Sequence, residues 1–242
     1  MGLFGAPRAF AAVAGFSCLG ERQGVEGSRM NRPRVLLADD HTMILAGLTS
    51  LLESDFDLVG TVADGRALID AAVRLKPDII MMDISMPLLN GIEAARQLRK
   101  SVPQSKIIFL TMHGDIDYVR EAFRAGASGY LIKRSAASEL VTAIHEVLKG
   151  RTYVTPLVTK DMMGSFLEPT DSAEKLQSRL TPRQREVLQL VAEGHSNKEI
   201  AAVLKVSTKT VEFHKYNLMQ ALGIRTTAEL TQYAMRHGYI ET

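Results

Sequence analysis

Between Val35 and Lys149, short apolar runs alternate five times with stretches of helical period. Few folds accept that alternation. The runs Val35–Ala38, Leu58–Ala63, Ile79–Asp83, Lys106–Thr111 and Gly129–Lys133 read as strands. After the first, Thr42–Glu53 places Ile44, Leu45, Leu48, Leu51 and Leu52 at helical spacing. Gly65–Leu75, Gly91–Lys100, Asp115–Ala125 and Ala137–Lys149 follow the other four, ended by Pro77, Pro103, Gly126 and Gly150. Repeated strand–helix units of this length build a parallel sheet with helices on both faces, in the flavodoxin-like order 2-1-3-4-5. The predicted fold class is therefore α/β for this half.

The central run ends in Ile79-Ile80-Met81-Met82-Asp83. An uninterrupted apolar strand is buried on both faces, and an acid at its carboxyl end points into the crevice where such sheets bind ligands. Alone, Asp83 reads as readily as a helix cap. The first strand, however, ends on Asp39-Asp40, the fourth on Thr111 and the fifth on Lys133. Three converging carboxylates repel one another, and a hard divalent cation with oxygen ligands, Mg²⁺, relieves that. Acid pair, acid, hydroxyl and lysine at four strand ends are the parts of a phosphoryl-transfer site. Asp83 would be the nucleophile that becomes an acyl phosphate, with Lys133 and Mg²⁺ neutralising the phosphoryl oxygens and Thr111 donating a hydrogen bond.

From Thr181 onward the pattern is helical throughout. Thr181-Pro182-Arg183-Gln184, Ser196-Asn197-Lys198-Glu199 and Thr226-Thr227-Ala228-Glu229 are capping boxes, and Ser207 caps a helix that Gly223 ends. Only Lys205-Val206 separates the second helix from the third, which predicts a helix-turn-helix unit in an all-α, four-helix domain. Val187, Leu188, Val191, Ile200, Leu204, Val211, Leu218 and Leu222 form its expected core. Charge follows the division. Met30–Gly150 has 14 Lys/Arg against 15 Asp/Glu, whereas Leu176–Thr242 has 9 against 6, a balance that permits a nucleic-acid partner.

The remaining segments carry less. Residues 1–29 hold a short apolar stretch after Arg8 and are expected to be a disordered leader or a misassigned start, with Met30 the natural beginning. Residues 30–150 form the first domain, 151–175 a linker with a helix starting after Thr155-Pro156, and 176–242 the second domain. The single cysteine excludes a disulfide framework, and no apolar run reaches the ~20 residues that span a bilayer, so a cytoplasmic protein without membrane contact is expected. None of the six histidines suggests a metal site.

The first domain resembles the receiver domain of a two-component response regulator, on Asp39, Asp40, Asp83, Thr111 and Lys133. That resemblance implies a histidine kinase as phosphoryl source, a further metal ligand in the carbonyl of Ser85, and an aromatic switch at Tyr130 working with Thr111. Phosphorylation would repack strand four and let Tyr130 turn in. Ser85 and His113, two residues beyond Asp83 and Thr111, would tune the acyl-phosphate lifetime. The tail Leu180–Leu188, Gly194–Ala201 and Val206–His214 resembles the LuxR-type DNA-binding domain. Its recognition helix is Ser207–Leu222, with Lys209, Thr210 and Lys215 expected on phosphates and Glu212, Phe213 and Tyr216 on base edges. His214 packs there or meets a phosphate, Gln220 stands where the family often has a basic residue, and Leu230, Tyr233 and Ala234 would offer a dimer surface.

The expected protein is a transcriptional regulator, not an enzyme, that dimerises and binds DNA when Asp83 is phosphorylated. The alternative is a regulator of the same build that ignores phosphorylation and uses the receiver as a dimer scaffold. An FMN-binding sheet is disfavoured because Asp39-Asp40 would repel a phosphate, and a dehalogenase-type phosphatase because its nucleophile belongs on the first strand.

Overall fold

The strand with no polar residue lies in the middle of the sheet. The structure, a computed structural model, describes residues 32–159 and 180–240. The leader expected over 1–29 and the linker beyond residue 159 lie outside the described residues. The strands are β1 (Arg34–Ala38), β2 (Asp57–Val62), β3 (Ile79–Met82), β4 (Lys106–Thr111), β5 (Gly129–Ile132) and β6 (Tyr153–Val154). All pairs are parallel, in the order β2-β1-β3-β4-β5-β6. The predicted order of the first five holds. The sixth was missed: Tyr153-Val154 is too short to show a period, and it pairs with Gly129-Tyr130 at the sheet edge. The expected linker 151–175 is therefore part of the sheet at its start, and residues 156–159 are helical as anticipated after Thr155-Pro156.

The helices are α1 (Thr42–Leu52), α2 (Gly65–Leu75), α3 (Gly91–Ser101), α4 (Ile116–Ala125) and α5 (Ala136–Leu148). Alternate strand residues face opposite layers. Leu36, Ile80, Met82, Phe109 and Tyr130 pack with Leu68, Leu98 and Val119 from α2, α3 and α4. Val35, Leu37, Ile79, Met81, Ile108 and Leu131 pack with Leu48, Leu52, Leu140 and Ile144 from α1 and α5. Such two-sided burial at about 25 cal/mol per Å² is what holds a sheet of short strands together.

The second domain consists of α6 (Pro182–Ala192), α7 (Asn197–Leu204), α8 (Thr208–Leu222) and α9 (Thr227–Arg236). All three expected capping boxes are present, and the Ser207 side chain accepts from the Thr210 amide. The turn between α7 and α8 is made without glycine: Lys205 takes a left-handed conformation at φ 53°. The expected apolar stripe is the core, with Leu222 partly buried at its margin. One expectation is corrected here. Leu230 and Ala234 are fully buried inside this domain and do not form a dimer surface, because the face of α9 that carries them packs on α6.

Candidate functional site

Register brings the acids together. Ala38 pairs with Met82, so the residues that follow, Asp39 and Asp83, leave adjacent strands at the same level. The Asp83 amide donates to the Ala38 carbonyl at 3.0 Å, and the Asp39 amide to Val62 at 3.1 Å. Gly91 keeps the β3–α3 loop close, since a Cβ there would run into the Asp83 carbonyl.

Asp39 and Asp83 are each 2% exposed. The Lys133 ammonium reaches both, lying 2.5 Å from Asp83 Oδ2 and 2.7 Å from Asp39 Oδ2. Asp39 Oδ2 makes no well-aligned hydrogen bond, which leaves a buried oxygen with unused accepting capacity. Burial pushes the Asp83 carboxyl above the usual carboxylate range, against the charge of Lys133. For Lys133, burial alone would lower the pKa, but the Asp83 charge and the bonds to Asp39 and Asp83 raise it. Thr111, fully buried, ends β4 beside this group, and its hydroxyl accepts the His113 amide at 3.2 Å.

Asp40 is more open, and it meets the pocket through His41, whose Nδ1 lies 2.9 Å from Asp40 Oδ1 and 3.0 Å from Asp39 Oδ1. His41 thus stands with the acid group. Asp39, Asp40, His41 and Asp83 each present a ligand atom within 4.8 Å of the others. Three carboxylates, one of them with a buried oxygen of spare accepting capacity, suit a hard divalent cation.

Ser85 and His113 do meet: Ser85 Oγ lies 3.1 Å from His113 Nε2. Tyr130 points inward in this structure. Its ring is fully buried, 6.4 Å from the Phe109 ring centre, and its hydroxyl donates to the His113 carbonyl at 2.8 Å. Burial pushes the phenol pKa well above its ordinary value.

The recognition helix α8 is a different kind of surface. Val211 and Leu218 anchor it, while Phe213 and Tyr216 are 62% and 63% exposed. Lys209 and Glu212 are exposed, and Thr210, His214 and Lys215 are half-buried. The Thr210 hydroxyl lies 2.8 Å from Ser207 Oγ at the cap, and His214 stands edge-on to Phe213. The two sites are separate, and neither draws residues from the other.

Comparison with known proteins agrees with both halves. Residues 35–145 match the response regulator receiver domain, and residues 178–234 match the bacterial regulatory proteins of the luxR family. The transcriptional regulatory protein MctR of Rhizobium johnstonii is 37% identical over 86% of this chain and 95% of its own. A structure of the Salmonella typhimurium RcsB response regulator, described for its conformational dynamism in DNA interaction, is 30% identical with a TM-score of 0.57, covering 84% of this chain and 97% of that one. A further RcsB structure holds two of its dimers on two parallel DNAs, at 28% identity and a TM-score of 0.54, covering 84% and 98%. Among the described residues no helix is long and apolar enough to cross a membrane. The chain belongs to the two-component response regulators that join a receiver domain to a LuxR-type DNA-binding domain, and it is a regulator of transcription.

Proposed function

We infer that Asp83 is the phosphoacceptor and that its modification promotes dimerisation and DNA binding. The observation that carries this reading is the buried Asp39–Lys133–Asp83 cluster at the carboxyl edge of the sheet. An Asp83 oxygen would form the O–P bond as the N–P bond to a kinase phosphohistidine breaks, and the imidazole would leave. Lys133 would then hold the phosphoryl oxygens that the Asp83 carboxylate no longer balances, and Thr111 would donate to one of them. Asp39, Asp40, Asp83 and the Ser85 carbonyl would hold Mg²⁺, which supplies charge neutralisation at the transferring group. The protein would be a cytoplasmic switch rather than a turnover enzyme, with a receiver over residues 30–150 extended by β6.

Lys209, Thr210, His214 and Lys215 of α8 are read as phosphate contacts, and Glu212, Phe213 and Tyr216 as base-edge contacts. Two output domains would read half-sites about one helical turn apart. A coupling of only ~1–3 kcal/mol between receiver and output changes DNA affinity roughly 5–150-fold. The test is a DNA titration at fixed salt, on a promoter fragment found by footprinting a genomic library, with and without acetyl phosphate. Wild type should gain affinity with the phosphodonor and Asp83→Asn should not. Identical pairs of curves for the two proteins would leave the phosphorylation-independent scaffold as the function.

A further inference from the structure

The loop that follows Asp83 is held by the output domain through one buried side chain. Gln189 of α6 is 1% exposed. Its Oε1 accepts the Asn90 amide at 2.7 Å, and its Nε2 donates to the Met86 carbonyl at 2.8 Å. A single carboxamide thus closes both ends of the five-residue segment Met86–Asn90, much as a neighbouring strand would. Inside that segment the Leu88 amide donates to Glu193 Oε1 at 3.1 Å, and Gln189 Nε2 also reaches that oxygen at 2.7 Å. Leu88 takes φ 64°, a conformation uncommon for a non-glycine residue, and packs against the output-domain core.

Charged pairs flank this centre. Arg185 Nε lies 2.6 Å from Glu93 Oε2, and Glu186 accepts from Arg66 at 3.1 Å and from Gln97 at 2.9 Å. A cavity of about 170 Å³ separates the two domains beside the acid pocket, with Asp40 and Ser85 on one wall and Glu193 and Tyr239 on the other. The chain at Gly238 packs so closely on Tyr118 that a side chain there would collide with the phenol. None of these contacts uses the outer face of α8, where Phe213 and Tyr216 remain open.

We propose that Gln189 is a latch through which the output domain senses the shape of the Met86–Asn90 loop, fixing the orientation of the output domain without hiding its DNA-reading helix, and that modification of Asp83 releases it. This rests on Asp83 being the phosphoacceptor. The route is short. The first amide of the loop, Ile84, donates to Asp83 Oδ1 at 2.6 Å, so a change of bulk and charge on that carboxylate is felt where the loop begins. The acyl phosphate also carries a charge of about −1.5 to −2 where the carboxylate carried −1, a net gain of negative charge beside a cavity that already has Asp40 and Glu193 on its walls. Both effects act against the loop shape that Gln189 and Glu193 fit. Linkage makes the coupling reciprocal, so a chain with the latch cut should bind a phosphoryl analogue more tightly by the factor with which the analogue opens the latch.

The backbone amides of Leu88 and Asn90 supply the readout, because their partners are side chains of the output domain. Amide hydrogen exchange is followed by NMR on the full chain. Three proteins are compared, wild type, Gln189→Ala and Asp83→Asn, each with and without beryllofluoride and Mg²⁺. Without the analogue, Gln189→Ala should speed exchange at both amides at least ~5-fold, including Leu88, whose own acceptor is untouched. Beryllofluoride should do the same to wild type and nothing to Asp83→Asn, and Gln189→Ala should bind it more tightly than wild type. Faster exchange at Asn90 alone would reduce Gln189 to a local contact and overturn the latch, as would unchanged protection in wild type saturated with the analogue. If wild type and Asp83→Asn respond alike, the phosphoacceptor reading fails, while the analogue-free comparison still judges the latch as a contact. Should Gln189→Ala lose its output fold, Arg66→Ala cuts the same interface from the receiver side and should speed the same two amides.

Discussion

The acid pocket and the recognition helix are built on opposite terms. In the pocket, Asp39 and Asp83 are 2% exposed and the Lys133 side chain 6%, and each charge depends on another for its solvation. On α8, Phe213 and Tyr216 stand more than 60% exposed on a scaffold held by Val211 and Leu218, which lie on the other face. A buried functional group is part of the fold's own stability. An exposed one is nearly free to vary without it. Substitutions in the first region should therefore be read in melting temperature as well as function, and substitutions in the second in function alone.

Lys133→Ala puts that contrast to its hardest test. Removing the ammonium leaves Asp39 and Asp83 facing each other in a buried site, and breaking a buried ion pair from one side costs about 3–5 kcal/mol. In EDTA the melting temperature should fall by on the order of 10 °C. Mg²⁺ should recover part of the loss, since it supplies the missing positive charge. A melting temperature within about a degree of wild type in EDTA would show that the pocket charges are not mutually dependent, and the comparison would collapse.

Phe213→Ala and Tyr216→Ala sharpen it from the other side. Each should cost DNA binding about 1–3 kcal/mol, roughly 5–150-fold in affinity, if the side chain touches a base edge. Thermal stability should move by no more than the ~0.5 kcal/mol typical of surface substitutions. An affinity loss accompanied by a comparable fall in stability would mean that these rings serve the domain's core instead.

The same contrast explains what the sequence disclosed. Strand ends are placed by hydrophobic runs, so the sequence alone assigns Asp39, Asp83, Thr111 and Lys133 to one edge, and Gln184, Glu199 and Glu229 mark their helix starts through local chemistry. The strand pair β5–β6 was invisible because two residues carry no period. The burial of Leu230 and Ala234 could not be read either, since an apolar stripe on a last helix faces a core or a partner with equal grammar. Least legible was Gln189. A glutamine on a helix reads as solvated, and only the tertiary placement of α6 against the β3–α3 loop makes it a buried bridge between Met86 and Asn90.

Tyr130→Phe measures a smaller element of the buried region. The lost hydroxyl donates to the His113 carbonyl at 2.8 Å, a bond worth about 0.5–1.5 kcal/mol net. Melting should fall by a few degrees, by about 2–4 °C per kcal/mol for a chain of this size. The ring stays inward, since its packing on Phe109 does not depend on the hydroxyl. A variant with wild-type melting would place the His113 carbonyl in water rather than in the core.

The smallest effect should come from Glu193, and it should run the other way. Its carboxylate sits between the two regions, 16% exposed, accepting from Leu88 and Gln189 with His195 Nε2 at 3.4 Å from its other oxygen. Burial pushes its pKa above the usual glutamate value despite those donors, so the docked arrangement favours the uncharged form. A group whose pKa is raised on docking opposes docking fully above that pKa, and the opposition fades as pH falls through it toward the undocked value. Glu193→Gln removes the charge while its carbonyl oxygen can still accept from both Leu88 and Gln189, with the amide nitrogen turned toward His195. Exchange at the Leu88 and Asn90 amides should therefore slow, by less than the ~5-fold acceleration expected on cutting Gln189. The part of the protection factor's pH dependence that Glu193 contributes should be lost. Faster exchange in Glu193→Gln would show that the ionised carboxylate, paired with His195, holds the loop. Phosphorylation would then have an attraction to overcome at this position, not a repulsion to exploit.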